Sequence, residues 1–227
     1  MAEQIQRVMV WPALLRVLHL MMATTLLVLL VSGALLTSGL ILNPELRDTL
    51  LHVWHLPAGH VLAGVLLVRL LLLVLRKDVA GWKALIPDNL EGVVNTARFY
   101  LSLARLQLPG YFAHNPLWKP FYLLLFLLLA LQVFNGLLLE FSYLRSVFRI
   151  DSVTALQRHQ LLYAPIGVLV FAHIVTAILH DWKSPAAEIS AMINGHKFFS
   201  VERQPPGSGG ATVQLNDLLS SKPGKKS

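Results

Sequence analysis

Four separated apolar runs, at about residues 13–38, 55–75, 117–139 and 161–180, decide what this chain can become. Each reaches the roughly 20 residues that an α-helix needs to cross the hydrocarbon core of a bilayer. Inside lipid every backbone N–H and C=O must be satisfied within the segment, so such runs become helices. The expected fold is an all-α membrane protein, a four-transmembrane-helix bundle. Only 14% of the residues are charged and mean hydropathy is +0.60, where a soluble domain carries about a quarter charged residues. The first run is longer than the apolar core of a signal peptide and no good cleavage site comes after it, so it reads as a retained helix.

A net charge of +7 raises the question of nucleic acid, but the cations sort by connection, as membrane topology requires. Arg7 and Arg16 precede the first run. Arg76, Lys77, Lys83, Arg98, Arg105 and Lys119 flank or fill the second connection, and six lysines and arginines lie beyond the fourth run. The first and third connections hold only Arg47, Arg145, Arg149 and Arg158. By the positive-inside rule both termini are expected in the cytoplasm, with lipid rather than nucleic acid as the partner of this charge. Cysteine is absent, which excludes disulfides, thiolate zinc sites and iron–sulfur clusters within these residues. A metal here must rest on His, Met or carboxylate.

The connection from Thr37 to Trp54 is short and polar, with Gly39, Asn43 and Pro44 as turn residues. The second connection is long enough for an amphipathic cytoplasmic helix at about 89–107, started by Asp88 or Asn89 and stopped by Pro109-Gly110. Its Arg98 and Arg105 would face lipid headgroups; a helix packed on the end of the bundle is the alternative. A second amphipathic segment, "SPAAEISAMINGHKFF", ends at Gly195. Residues 1–200 are thus read as one membrane domain and 201–227, rich in Pro, Gly, Ser and Lys, as a disordered tail. Trp11, Trp54, Trp118 and Trp182 fall at span edges, where an aromatic belt is expected.

Ionisable side chains inside a membrane are functional suspects. His19 lies in the first run, His52, His55 and His60 crowd the start of the second, and His159 and His173 lie on the fourth. Bis-histidine haem is the most economical common purpose, because haem iron accepts axial imidazoles from two helices and buries its macrocycle among apolar side chains. His159 and His173 are 14 residues apart. At about 100° and 1.5 Å per residue they share a face and stand about 21 Å apart in height, one near each membrane surface. His19 then faces His173 on the cytoplasmic side, and His159 needs a partner from the outer end of the second run. Two haem b groups are therefore expected. Gly33, again 14 residues beyond His19, falls at the upper level and leaves room for a macrocycle.

Arg69 separates the crowded histidines. An intramembrane arginine should face the bundle, here at the lower level, where it could pair a haem propionate. His55 is 14 residues before Arg69 and shares its face; His60, nine before, lies about half a turn away. His55 is the expected axial ligand and His60 the fallback. His52, His114, His180 and His196 are read as interfacial or helix-end residues, and His180, Asp181 and Lys183 as a helix C-terminal cluster that could also serve a reduced quinone.

Several stretches resemble the di-haem b-type cytochrome subunits of membrane-bound nickel–iron hydrogenases, relatives of the formate dehydrogenase gamma subunit. They are "RVLHL" and then Ser32-Gly33, "HNPLWKPFYLLLF", "QVFNGLLLE", and above all "RHQLLYAPIGVLVFAHIVTAILHDWKSPAAEISAMINGHK". Leu20 stands where that family has Trp, and Asn135 where it has Thr before glycine. The resemblance implies axial ligation by His19, His55, His159 and His173. It also implies a bacterial inner-membrane subunit that carries electrons from the iron–sulfur small subunit of a periplasmic hydrogenase-like complex, with its catalytic large subunit, to menaquinone or ubiquinone, and it leaves room for homodimerisation of that complex. A free-standing quinol-oxidising cytochrome b and a His-lined proton or metal transporter are the competing readings.

Overall fold

The computed structural model describes residues 3–102, 111–183 and 188–202. It contains a strand β1 (Glu3–Met9), helix α1 (Ala13–Thr37), helix α2 (Pro44–Thr49) running through a π-helical segment (Leu50–His55) into α3 (Leu56–Leu75), and α4 (Leu90–Leu101). Next in the chain come α5 (Trp118–Glu140), a short α6 (Ser142–Phe148), α7 (Ser152–Lys183), α8 (Glu188–Asn194) and β2 (His196–Glu202). Four segments are long and apolar enough to cross a membrane: α1, the continuous Pro44–Leu75, α5 and α7.

Two spans start earlier than hydropathy alone suggests, each because of a cap. Asn43 and Pro44, expected as turn residues, begin a helix: Asn43 Oδ1 accepts from the backbone N–H groups of Glu45 and Leu46, and Pro44 occupies the first helical turn. The π-helical segment precedes Pro57, which has no N–H to give, and the Leu56 N–H reaches back five residues to the Leu51 carbonyl. At α7, Asp151 accepts from the Thr154 backbone and hydroxyl, so the helix begins before its polar turns "SVTALQRHQ" reach the apolar part. At 32 residues it is about 48 Å long and overshoots a 30 Å core at its ends. The amphipathic helix expected at 89–107 is seen as α4, ending at Leu101; residues 103–110 lie outside the described residues, as does the tail from 203.

The two strands are a departure from an all-helical chain. β1 pairs antiparallel with β2 from Met9↔His196 to Glu3↔Glu202, which brings both ends to one end of the bundle. Gly195 makes the turn into β2 with φ +87, and its carbonyl accepts from the Val10 and Trp11 N–H groups. Trp11, Leu15, Ala80, Ala113 and Ala191 form a small core there, so Trp11 is buried rather than part of an aromatic belt. Trp118 is buried too, its indole N–H donating to Thr176 Oγ1 at 2.8 Å; of the four span-edge tryptophans only Trp54 and Trp182 are exposed.

His114 sits in this end layer, outside the spans, with its ring 5.0 Å from Trp11 and 5.9 Å from Tyr122. Burial, and then the nearby cations Arg69, Lys119 and Lys197, lower its pKa to about 3. The unfolded chain takes this proton near 6.5. Stability from a neutral His114 is therefore fully present above 6.5 and lost as pH falls toward 3. Thermal unfolding in detergent should show a loss of midpoint from pH 6.5 to 4 that is smaller in His114→Phe; equal slopes would contradict this.

Candidate functional site

Each long helix presents one residue to the bundle axis at three levels, and on every helix the levels are seven residues apart. The sets are His19, Leu26, Gly33 on α1; His55 at the end of the π-helical segment with Leu62 and Arg69 on α3, which continues it; Tyr122, Leu129, Gly136 on α5; and His159, Ile166, His173 on α7. Seven residues are nearly two helical turns, so the three share a face. The middle level is a tight apolar layer: Leu26, Leu62, Leu129 and Ile166 are at most 9% exposed and pack in one cluster. It separates two polar levels, each with one pair of histidines.

At the lower level His19 of α1 meets His173 of α7, ring centroids 6.3 Å apart. At the upper level His55 meets His159, at 6.2 Å. An iron held by two imidazoles stands about 2 Å from each nitrogen, and half a ring more brings the centroids to roughly 6.2 Å apart. Both pairs have the spacing that a bis-imidazole metal requires. Among the described residues there is no cluster of three or more His, Cys, Asp or Glu that could hold a bare metal ion; the donors come in twos.

The groups behind the upper imidazoles fit the same chemistry. A metal-bound histidine usually gives its other nitrogen to a fixed partner, which sets tautomer and ring orientation. His159 Nδ1 lies 3.2 Å from the Gln132 carbonyl oxygen, and His55 Nδ1 lies 2.8 Å from Ser32 Oγ. Ser32 is 2% exposed inside α1 and also donates to Val28 O. Around the upper pair the two remaining helices carry glycine. A Cβ on Gly33 would stand 3.6 Å from His55 Cε1 and 3.6 Å from the Tyr163 ring, and one on Gly136 would stand 3.5 Å from His159 Cε1. This is a cradle that side chains would fill.

The lower level is built differently. Trp118 and Tyr122 pack their rings 5.1 and 5.7 Å from His173, while His19 Nδ1 is buried without a hydrogen-bond partner. Arg69 is 8% exposed; its Nη1 donates to Ala80 O at 2.8 Å and its guanidinium stacks 5.0 Å from the Phe126 ring. Its guanidinium is held between the Ala80 carbonyl and the Phe126 ring. His60 is elsewhere, half-exposed, with Nε2 2.9 Å from Glu140 Oε2. His180 continues the His173 face by seven residues and is buried against Phe99, Tyr100 and Tyr111, more enclosed than a helix-end cluster. Gly136 and Tyr122 are the site residues that sequence reasoning misses; their 14-residue spacing, equal to that of His159 and His173, is the signal that could find them.

Four membrane helices with histidines paired across the axis at two depths define a class, the helical membrane cytochromes. The family profile described as prokaryotic cytochrome b561 matches residues 10–195. The chain belongs to that family, and it is a multi-pass membrane protein of haem-b electron transfer. No curated protein and no solved structure matches it.

Proposed function

We propose that this chain is the membrane-anchoring, di-haem subunit that carries electrons between the iron–sulfur subunit of a periplasmic, hydrogenase-like oxidoreductase and the quinone pool of the bacterial inner membrane. The observation that carries the reading is the pair of histidine pairs, at 6.3 and 6.2 Å, on opposite sides of an apolar layer. His55 and His159 hold the periplasmic haem b, and His19 and His173 the cytoplasmic one. Each haem supplies a one-electron carrier. Ser32 and the Gln132 carbonyl orient the upper imidazoles. Arg69 offers its cation to a propionate of the lower haem, and Gly33 keeps the upper haem's space open. Leu26, Leu62, Leu129 and Ile166 exclude water between the two levels.

Orientation comes from charge. Arg7, Lys77, Lys83, Arg98, Lys119, Lys183 and Lys197 gather toward the end that holds the two strands, which the positive-inside rule assigns to the cytoplasm. Menaquinone or ubiquinone is the electron acceptor on that side, and the catalytic large subunit docks outside through its iron–sulfur partner. Purification from native membranes tests this. Expected are two haems b per chain, a b-type α band after dithionite reduction, and a co-purifying iron–sulfur protein. One haem or none per chain would sink the two-haem reading, and two haems without such a partner would favour a free-standing quinol-oxidising cytochrome b.

A further inference from the structure

Ser32 does more than orient His55. It lies inside α1 and is 2% exposed. Its hydroxyl faces the Val28 and Leu29 carbonyls of its own helix at 2.6 and 3.3 Å, and the same oxygen lies 2.8 Å from His55 Nδ1. A serine hydroxyl has one hydrogen to give. With that hydrogen spent on the α1 backbone, the oxygen meets His55 only as an acceptor, so Nδ1 carries the ring hydrogen and Nε2 keeps its lone pair. His159 is in the same state, because its Nδ1 stands 3.2 Å from the Gln132 carbonyl oxygen, which can only accept. Both upper imidazoles thus give an Nδ1–H to an oxygen.

The lower imidazoles are supported differently. His19 Nδ1 is buried with no hydrogen-bond partner, and the rings of Trp118 and Tyr122 pack against His173. That level holds instead the Arg69 cation, 8% exposed. The two differences act on an iron in the same sense. An acceptor behind Nδ1 makes an imidazole a stronger donor through Nε2, which favours the ferric state. A buried cation nearby favours the ferrous state, which carries one positive charge fewer.

We infer that Ser32 is a positioning residue that acts through His55 to hold the upper haem at a lower potential than the lower haem. What counts is its oxygen as an acceptor, with the Gln132 carbonyl doing the same for His159. An electron passed between the levels oxidises one haem and reduces the other by one unit each. With this ordering it moves downhill from the His55–His159 level to the His19–His173 level. The hydrogen-bond asymmetry rests on the residues themselves, whereas its action on two irons rests on the two-haem reading.

The test is a spectroelectrochemical titration of the purified, haem-loaded protein, followed in the α band, with haem counted per chain. The parent should show two midpoints, and His55→Ala should lose the lower one. Ser32→Ala should raise that midpoint, so that at a fixed potential the ratio of reduced to oxidised upper haem grows about threefold, and should leave the other midpoint in place. Ser32→Thr keeps the hydroxyl and should titrate like the parent. Ser32 borders a cavity of about 290 Å³ with Leu27, Val31 and Trp54, which has room for the added methyl. Ser32→Cys, close to serine in size but a weak acceptor, covers the case in which the alanine variant loses the haem; its midpoint should lie above the parent's. The inference is overturned if Ser32→Ala and Ser32→Cys titrate like the parent, if Ser32→Ala moves both midpoints alike, or if the haem lost with His55 is the one of higher potential. A parent with fewer than two haems would sink the two-haem reading instead, and the Ser32 variants would still report on the haem that His55 holds.

Discussion

His55→Ala protein is expected to hold one haem where the parent holds two, while His60→Ala holds both. The two histidines are five residues apart on neighbouring turns, but only one of them faces another histidine. His55 lies 6.2 Å from His159 across the axis, with Nδ1 fixed by Ser32 and Nε2 left for a metal. His60 points to the end of α5, where it meets Glu140. Removing His60 breaks a partly exposed polar contact with Glu140, worth at most about 1 kcal/mol. Under the proposed ligation, removing His55 would take away one of two axial bonds, and a single remaining imidazole would neither fix the macrocycle nor keep it low-spin. His159→Ala should match His55→Ala, and the double variant should lose nothing further, because both act on one group. His19→Ala and His173→Ala should form the other matched set. Haem per chain and the low-spin electron paramagnetic resonance signals separate the cases; loss of a haem from His60→Ala would overturn the assignment.

The pairing of these histidines is legible in the sequence because a straight α-helix has a fixed pitch. Fourteen residues return nearly to the same face, so His159 with His173, His19 with Gly33, and His55 with Arg69 declare their faces without a fold. The same arithmetic places His60 on another side. Gly136 is harder to find because no histidine on its own helix points to it, although counting back 14 residues reaches Tyr122 and completes the fourth helix's face.

The span ends are less legible because hydropathy reports where lipid is, not where a helix begins. Asn43-Pro44 has the composition of a turn and of a helix start alike, and the choice depends on the residues downstream. The polar residues 152–160 are helical because Asp151 caps them, a local hydrogen bond that an averaged hydropathy does not see. Trp11 and Trp118 sit at span edges in sequence, as belt residues do, yet tertiary packing buries both. The β1–β2 pairing joins positions almost 200 residues apart. Nothing local in "EQIQRVM" or "HKFFSVE" names the other strand, so this closure of the bundle had to come from three dimensions.

Gly136→Val should remove or loosen the upper haem while leaving the lower one in place. A Cβ at Gly136 already stands 3.5 Å from His159 Cε1 and 3.8 Å from Nδ1, ordinary contact distances, so Gly136→Ala is expected to keep both haems. Valine adds two methyls about 1.5 Å farther out, and in a helix its χ1 is held to one rotamer, so they cannot both swing clear. The nearest atoms that could yield are those of the His159 ring, whose Nδ1 is held by the Gln132 carbonyl. Moving that ring breaks the orientation an axial ligand needs. Gly64→Val is the control: a Cβ there meets nothing within 4 Å, and valine's helix propensity is no worse than glycine's. Haem content and midpoint potentials of the three variants give the answer. A Gly136→Val protein with two haems at unchanged potentials would mean that the upper macrocycle does not use this glycine's space.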